Sequence, residues 1–293
     1  MKLGITGAAG QMGAALLRDT LARVPASSVV AVTRSPEKLE RLSTQGVEVR
    51  AGDFNQPASL EAAFRGIERL VIVPTPDLQP GLRRQQQSAA IRAAVAAGVR
   101  HVIYISTVSA RPDPNNELFD SHFATEQALI QSGARWTILR MSIYMDTLLD
   151  PAKRALASGS YAAVPGAPAA YVLREDIAAA AAGILAAPGH EGITYHATGP
   201  VSVTQEQIAE AVSQAAGKKI SFSPMSEAQQ RAGLEAAGLP PFILNAILGF
   251  QATLRAGAFD LVTADVARLA GRPASSPAEF FARALAASGG ARA

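Results

Sequence analysis

The chain has 293 residues, 27 Lys plus Arg against 24 Asp plus Glu, and a formal charge of +3. Its 48% hydrophobic and 17% charged residues, against about 25% charged in ordinary globular domains, exclude disorder as its main state and supply one large domain or two small ones. A surplus of three charges is too small for a phosphate-tracking surface, and the absence of cysteine excludes disulfides, thiolate catalysis and the usual structural zinc sites, so neither nucleic acid nor metal is expected.

In chain order, short runs dense in Val and Ile alternate with helical patterns. A strand over residues 2–6 precedes a helix over 11–22, a strand over 28–33 precedes a helix over 36–45, and a strand over 47–51 precedes a helix over 58–64. The rhythm continues with strands at 69–73, 101–106 and 136–141 and helices at 79–97 and 119–132. Gly46, Gly66, Gly98 and Gly133 each stand between a helical run and a strand, the place of a left-handed helix C-cap. Six strands joined by helices predict an α/β fold, a Rossmann-type doubly wound parallel sheet, over residues 1–148.

Residues 149–293 predict a smaller, mainly helical substrate lobe that can return a strand to the main sheet. Its elements are a Gly/Pro/Ala-rich stretch at 158–170, a helix at 174–187, a strand at 193–197 and a helix at 204–216. Beyond 225 the pattern is helical, broken at Pro240-Pro241 and Gly257, with a frayed tail over 288–293. The first strand begins at once and leaves no room for a leader, which makes the cytoplasm the expected compartment. The longest apolar stretch, residues 177–187, falls short of the about 20 needed to span a bilayer.

The loop Gly7-Ala8-Ala9-Gly10-Gln11-Met12-Gly13 follows the first strand and opens the first helix, a G-x-x-G-x-x-G pattern with Thr6 ahead of it. A pyrophosphate needs backbone N–H groups at a helix N-terminus, and glycines let the main chain approach it. After the second strand stands Thr33-Arg34-Ser35, where a selector of NAD would place an acid. Arg34 can fork onto a 2′-phosphate, so NADP(H) is the expected cofactor; the alternative is an ordinary surface arginine. Asp53 and Phe54, after the third strand, either line an adenine pocket or serve as turn and capping residues. Pro74 and Thr75 after the fourth strand would run beneath the ribose and nicotinamide, although the prolines could equally serve only to stiffen the loop.

These motifs, with S-H-F-A-T-E-Q-A-L at residues 121–129 and T-I-L-R-M-S-I-Y at 137–144, resemble the NmrA-like family of atypical short-chain dehydrogenase/reductases over nearly the whole chain. Members that reduce quinones and triphenylmethane dyes carry H-x-x-T-E where His122, Thr125 and Glu126 stand here. The resemblance implies an oxidoreductase that takes a small aromatic acceptor as monomer or homodimer. The family also holds dinucleotide-sensing regulators without turnover, which is the rival expectation.

The Tyr-x-x-x-Lys pair of typical short-chain dehydrogenases is absent, and His122 and Glu126, four residues apart on one helical face, take its place. Alcohol–ketone chemistry therefore ranks below hydride transfer to a quinone or dye, which asks chiefly for proximity and orientation. His122 is the candidate catalytic proton donor; its alternative is a helix residue hydrogen-bonded within the fold. Ser106 and Thr107 end the fifth strand, where they contact cofactor and substrate or simply cap the strand. Met141 and Tyr144, near the end of the sixth, line a substrate pocket or pack in the core. The four histidines, at 101, 122, 190 and 196, show no paired ligand spacing, and Trp136 reads as core.

Overall fold

The computed structural model describes residues 1–289. Seven strands, β1 (Leu3–Ile5), β2 (Val29–Thr33), β3 (Glu48–Ala51), β4 (Arg69–Ile72), β5 (His101–Thr107), β6 (Arg135–Met141) and β8 (Ile193–Ala197), form one sheet. Every pairing is parallel, in the order β3-β2-β1-β4-β5-β6-β8. Parallel neighbours need long crossovers, and α1 (Gln11–Leu21), α2 (Glu40–Ser43), α3 (Ala58–Phe64), α4 (Leu82–Ala96) and α5 (Glu117–Ile130) lie in the connections.

Alternation along the strands divides the core. Val30, Val32, Leu70, Ile72, Val102, Tyr104 and Ile138 join Leu60 and Phe64 of α3, Ile91 of α4 and Leu129 of α5 in one cluster. Their neighbours Val71, Ile103, Ile105 and Leu139, which point the other way, are equally buried. A sheet buried on both faces explains why its strands read as continuous apolar runs. The glycines at 46, 66, 98 and 133 all take positive φ.

The doubly wound parallel fold is as expected, but a single boundary near 148 is not. One compact unit comprises Met1–Met141, Glu175–Ala197 and Asp265–Arg272, and the other Ser142–Arg174, Thr198–Ala264 and Pro273–Ala293. The reason lies in β8, which pairs with β6 from Thr137↔Ile193 to Met141↔Ala197. Reaching that edge in parallel requires the crossover helix α7 (Arg174–Ala186), so α7 and β8 belong to the first unit. The short α11 (Asp265–Ala270) returns there too. Its Leu269 carbonyl comes so near α7 that a Cβ on Gly183 would sit 2.0 Å from the oxygen.

The second unit contains α6 (Leu149–Ser158), α8 (Gln205–Ala216), α9 (Glu227–Ala236), α10 (Pro241–Arg255) and α12 (Pro277–Gly289). A two-stranded parallel sheet of β7 (Ser160–Ala163) and β9 (Ser221–Pro224) completes it, in segments expected to be irregular. The expected breaks fall between α9 and α10, at Pro240-Pro241, and after α10, at Gly257. Other differences are local. The helix expected at 36–45 is a 3-10 turn followed by the four residues of α2, and α4 begins after Gly81, whose φ is +77°. The tail expected to fray from 288 lies, from residue 290 onward, outside the described residues. Among the described residues no helix is long and apolar enough to cross a membrane.

Candidate active site

Strand order reverses between β1 and β4, and in open α/β sheets ligands bind outside the carboxyl ends of the strands at such a point. A cleft of about 540 Å³ lies there. Gly7, Gly10 and Gly13 line it from β1, Arg34 from β2, Asp53 and Phe54 from β3, and Pro74 and Thr75 from β4.

The first wall is built by backbone. Thr6 donates its N–H to the Val71 carbonyl at 3.0 Å and accepts the Val73 N–H on Oγ1 at 2.9 Å, tying the ends of β1 and β4 together. Gly7 then turns at φ +60°, and Gly10 donates to its carbonyl at 2.9 Å. Gly10 is the extended N-cap of α1, which has neither a side-chain cap nor an acid in its first turn. The first amides of α1, at Gln11 and Met12, line the cleft with the positive end of the helix dipole. A Cβ on Gly13 would lie 2.2 Å from the Gly7 oxygen and 2.7 Å from the Ala8 Cα, both backbone atoms. Only glycine permits this approach, and it shapes a cradle for an anion.

Beside the cradle stand two cations, Arg34 and Lys38, both exposed and both lining the cleft. Asp53 takes a turn geometry, with its Oδ1 accepting the Asn55 N–H at 2.9 Å and its own N–H donating to Ser59 Oγ at 3.0 Å. Phe54 packs against the core cluster and also faces the cleft. Thr75 donates its hydroxyl to Gln86 Oε1 at 2.6 Å. Gln86, on α4, was not singled out from sequence, yet it is 2% exposed and lines the same cleft.

His122, the expected proton donor, does not line this cleft; it is fully buried on α5. Arg83 Nη2 approaches its Nε2 at 3.0 Å, and the Tyr104 hydroxyl approaches its Nδ1 at 2.7 Å. Because a guanidinium can only donate, Nε2 carries the lone pair and Nδ1 the proton. That proton goes to Tyr104, whose hydroxyl donates to Gln87 Oε1 at 3.1 Å. Gln87 in turn donates to Thr125 Oγ1 at 2.8 Å. Burial, reinforced by the Arg83 charge, holds the His122 pKa well below the usual imidazole value. Placed so, the ring has neither a lone pair nor a proton to offer a ligand, which is the geometry of a helix residue bonded within the fold.

Ser106 is likewise buried, and its hydroxyl donates to Glu126 Oε1 at 2.6 Å rather than entering the cleft. The same carboxylate, 1% exposed, receives Arg140 Nε at 2.9 Å and Nη2 at 2.6 Å. This fork raises the pKa of the Arg140 guanidinium. Thr107 and Met141 partner each other in register at the carboxyl edge of β5 and β6, outside the cleft lining. Tyr144 belongs to the second unit, where it is half-buried beneath the Arg174 guanidinium at 5.0 Å. Arg174 is held by Asp146 at 2.9 Å.

The NmrA-like family model matches residues 1–244. The structure of an NADPH-dependent quinone oxidoreductase from Escherichia coli, complexed with NADPH, aligns with a TM-score of 0.88 at 33% identity, over 96% of this chain and 99% of that one. A Citrobacter sp. triphenylmethane reductase complexed with NADP(H) gives a TM-score of 0.87 at 31% identity, over 97% and 100%. An NAD(P)H azoreductase of Xenophilus azovorans is 31% identical over 99% of this chain and 98% of its own.

Proposed function

The chain belongs to the NmrA-like family, and from that premise we propose that it is an NADPH-dependent reductase delivering hydride to an aromatic acceptor, a quinone or a dye. The observation that carries this reading is the glycine-only cradle at the N-terminus of α1 with Arg34 and Lys38 beside it. Full-length similarity to reductases of quinones and dyes, two of them solved with NADPH or NADP(H), supports it.

The residues present fit the dinucleotide. A Cβ at position 13 would collide with the Gly7 carbonyl and the Ala8 Cα, so the close approach of loop and helix that forms the cradle needs glycine, and the helix N-terminus and the two cations complement a diphosphate and a 2′-phosphate respectively. Gly7, Gly10, Gln11, Met12 and Gly13 would hold the diphosphate, Arg34 the 2′-phosphate, and Asp53 and Phe54 the adenine side. Pro74 and Thr75 would back the ribose and nicotinamide. When bound, NADPH supplies a hydride from C4 of its nicotinamide ring.

What the chain itself contributes is position. Among the described residues lining the cleft there is no histidine or tyrosine, and a quinone reduced by hydride can take its proton from water afterwards. His122 and Ser106 therefore act by fixing α5 against β5 and α4, not as acid or direct contact. Thr107 and Met141, in register at the carboxyl edge of β5 and β6, are the proposed acceptor contacts.

The test is to mix the protein with NADPH, and separately NADH, against a panel of quinones, azo dyes and triphenylmethane dyes, following loss of the reduced-nicotinamide absorbance. Oxidation of NADPH in preference to NADH with a member of the panel is expected. Tight NADPH binding with no turnover would favour a dinucleotide sensor, and no binding would refute the reading.

A further inference from the structure

We infer that Gln86 is a positioning residue that sets the width of the dinucleotide cleft, an inference that rests on the cofactor reading above. The side chain rises from the second turn of α4 and is 2% exposed. Its Oε1 accepts the Thr75 hydroxyl at 2.6 Å. Its Nε2 donates to Asn55 Oδ1 and to Asp77 Oδ2, each at 2.8 Å. Both amide protons are thus committed, to two different loops.

Asn55 follows β3 at the sheet edge, whereas Thr75 and Asp77 follow β4. In the sheet β2 and β1 stand between those strands, so no strand ladder joins the two loops. Gln86 does so, through three hydrogen bonds from one side-chain amide. Both loops line the cleft that Gly7 to Gly13 enter from β1, so the distance across it depends on how firmly these loops are held. The next residue, Gln87, turns the other way into the buried Tyr104 and Thr125 network. Adjacent glutamines thereby serve the cleft and the core separately.

The residue type follows from the partners. A glutamate would keep an acceptor for Thr75 but set a carboxylate against Asp77, while a leucine would leave three polar groups unmatched. The other charged groups lining this cleft are Asp53, Arg34 and Lys38.

The test compares wild type, Gln86→Leu, Gln86→Glu and the double variant Gln86→Glu/Asp77→Asn, with NADPH affinity read by fluorescence titration, kcat at saturating NADPH and thermal stability. Gln86→Leu should weaken NADPH binding about tenfold with a smaller fall in kcat. Gln86→Glu should be weaker still, and Asp77→Asn should restore much of the loss by returning an amide donor from the other side. NADPH affinity unchanged in Gln86→Leu, or a loss in Gln86→Glu that Asp77→Asn does not repair, overturns the inference. Should Gln86→Leu fail to fold, the charge-rescue pair decides alone. A wild-type protein that binds no NADPH would overturn the cofactor reading itself, a result distinct from either.

Discussion

Replacing Gly13 by alanine tests the anion cradle most directly. The ideal Cβ would lie 2.2 Å from the Gly7 oxygen and 2.7 Å from the Gly7 carbonyl carbon and the Ala8 Cα. An aliphatic carbon and a carbonyl oxygen in a favourable C–H···O contact stand about 3.3–3.6 Å apart. The loop and the first turn of α1 must therefore part by about 1 Å, and no flexible side chain can absorb the shift. An amide aimed at a phosphate oxygen from about 2.9 Å would then stand beyond hydrogen-bond range. Losing two such charge-assisted bonds costs about 3–6 kcal/mol, or about two to four orders of magnitude in NADPH affinity. Overpacking adds about 1–3 kcal/mol of lost stability.

Gly10→Ala is the internal control for stability, because there the Cβ would meet the Gly7 oxygen at 3.2 Å and only a small adjustment of the protein is needed. Urea denaturation of both variants should rank the stability loss at Gly13 far above that at Gly10, and fluorescence titration reads the NADPH loss at Gly13 against wild type. A Gly13→Ala protein with wild-type affinity and wild-type stability would refute the cradle argument.

Arg34→Ala should weaken NADPH by about tenfold or more while leaving NADH nearly unchanged, since the exposed guanidinium is the group proposed to hold the 2′-phosphate; an unaltered affinity ratio sinks the cofactor assignment. His122→Phe should lower stability by about 2–5 kcal/mol, because Arg83 and Tyr104 lose a buried partner, while turnover per folded molecule holds; a collapse of kcat at unchanged stability would restore the proton-donor role. Burial holds the His101 pKa at about 4 against the ordinary 6.5. The unfolded chain therefore takes up a proton that the native ring refuses, and stability falls as pH drops from 6.5 towards 4. The full difference amounts to about 3 kcal/mol. His101→Gln should flatten that part of a denaturation midpoint-against-pH curve, and an identical slope would dismiss the ring as its source.

Much of the nucleotide half was legible because its signals are local. The glycine loop, the Thr33-Arg34-Ser35 strand end and the four positive-φ glycines just past helix ends each state their backbone geometry within a few residues. Gln86 was invisible for the opposite reason. It is the middle of three consecutive glutamines, of which Gln85 is exposed and Gln87 belongs to the core, and only the fold of two distant loops gives it partners. The return of the strand at 193–197 to the main sheet was anticipated, but its place beside β6 was not legible, because it is a pairing between residues more than fifty apart. The strands β7 and β9 are four residues each and about sixty apart, too short for alternation to declare them.

The H-x-x-T-E pattern shows how spacing on a helix can be read from sequence while the partners of its side chains cannot. Positions 122, 125 and 126 do share one face of α5, as the period of 3.6 requires. That face is turned inward, where His122 binds Arg83 of α4 and Tyr104 of β5, Thr125 binds Gln87 of α4, and Glu126 binds Ser106 of β5 and Arg140 of β6. Together the three residues fasten α5 to α4, β5 and β6. The fully buried imidazole stays neutral and bonded at both ring nitrogens, and the buried carboxylate holds three hydrogen bonds within the fold, a geometry that favours fastening over acid–base work. A reductase built this way is suited to acceptors that need only the hydride from the site and take any proton from water afterwards. Its loops need only hold two flat rings together, and the rigidity of α4, α5 and the strand ends supplies that.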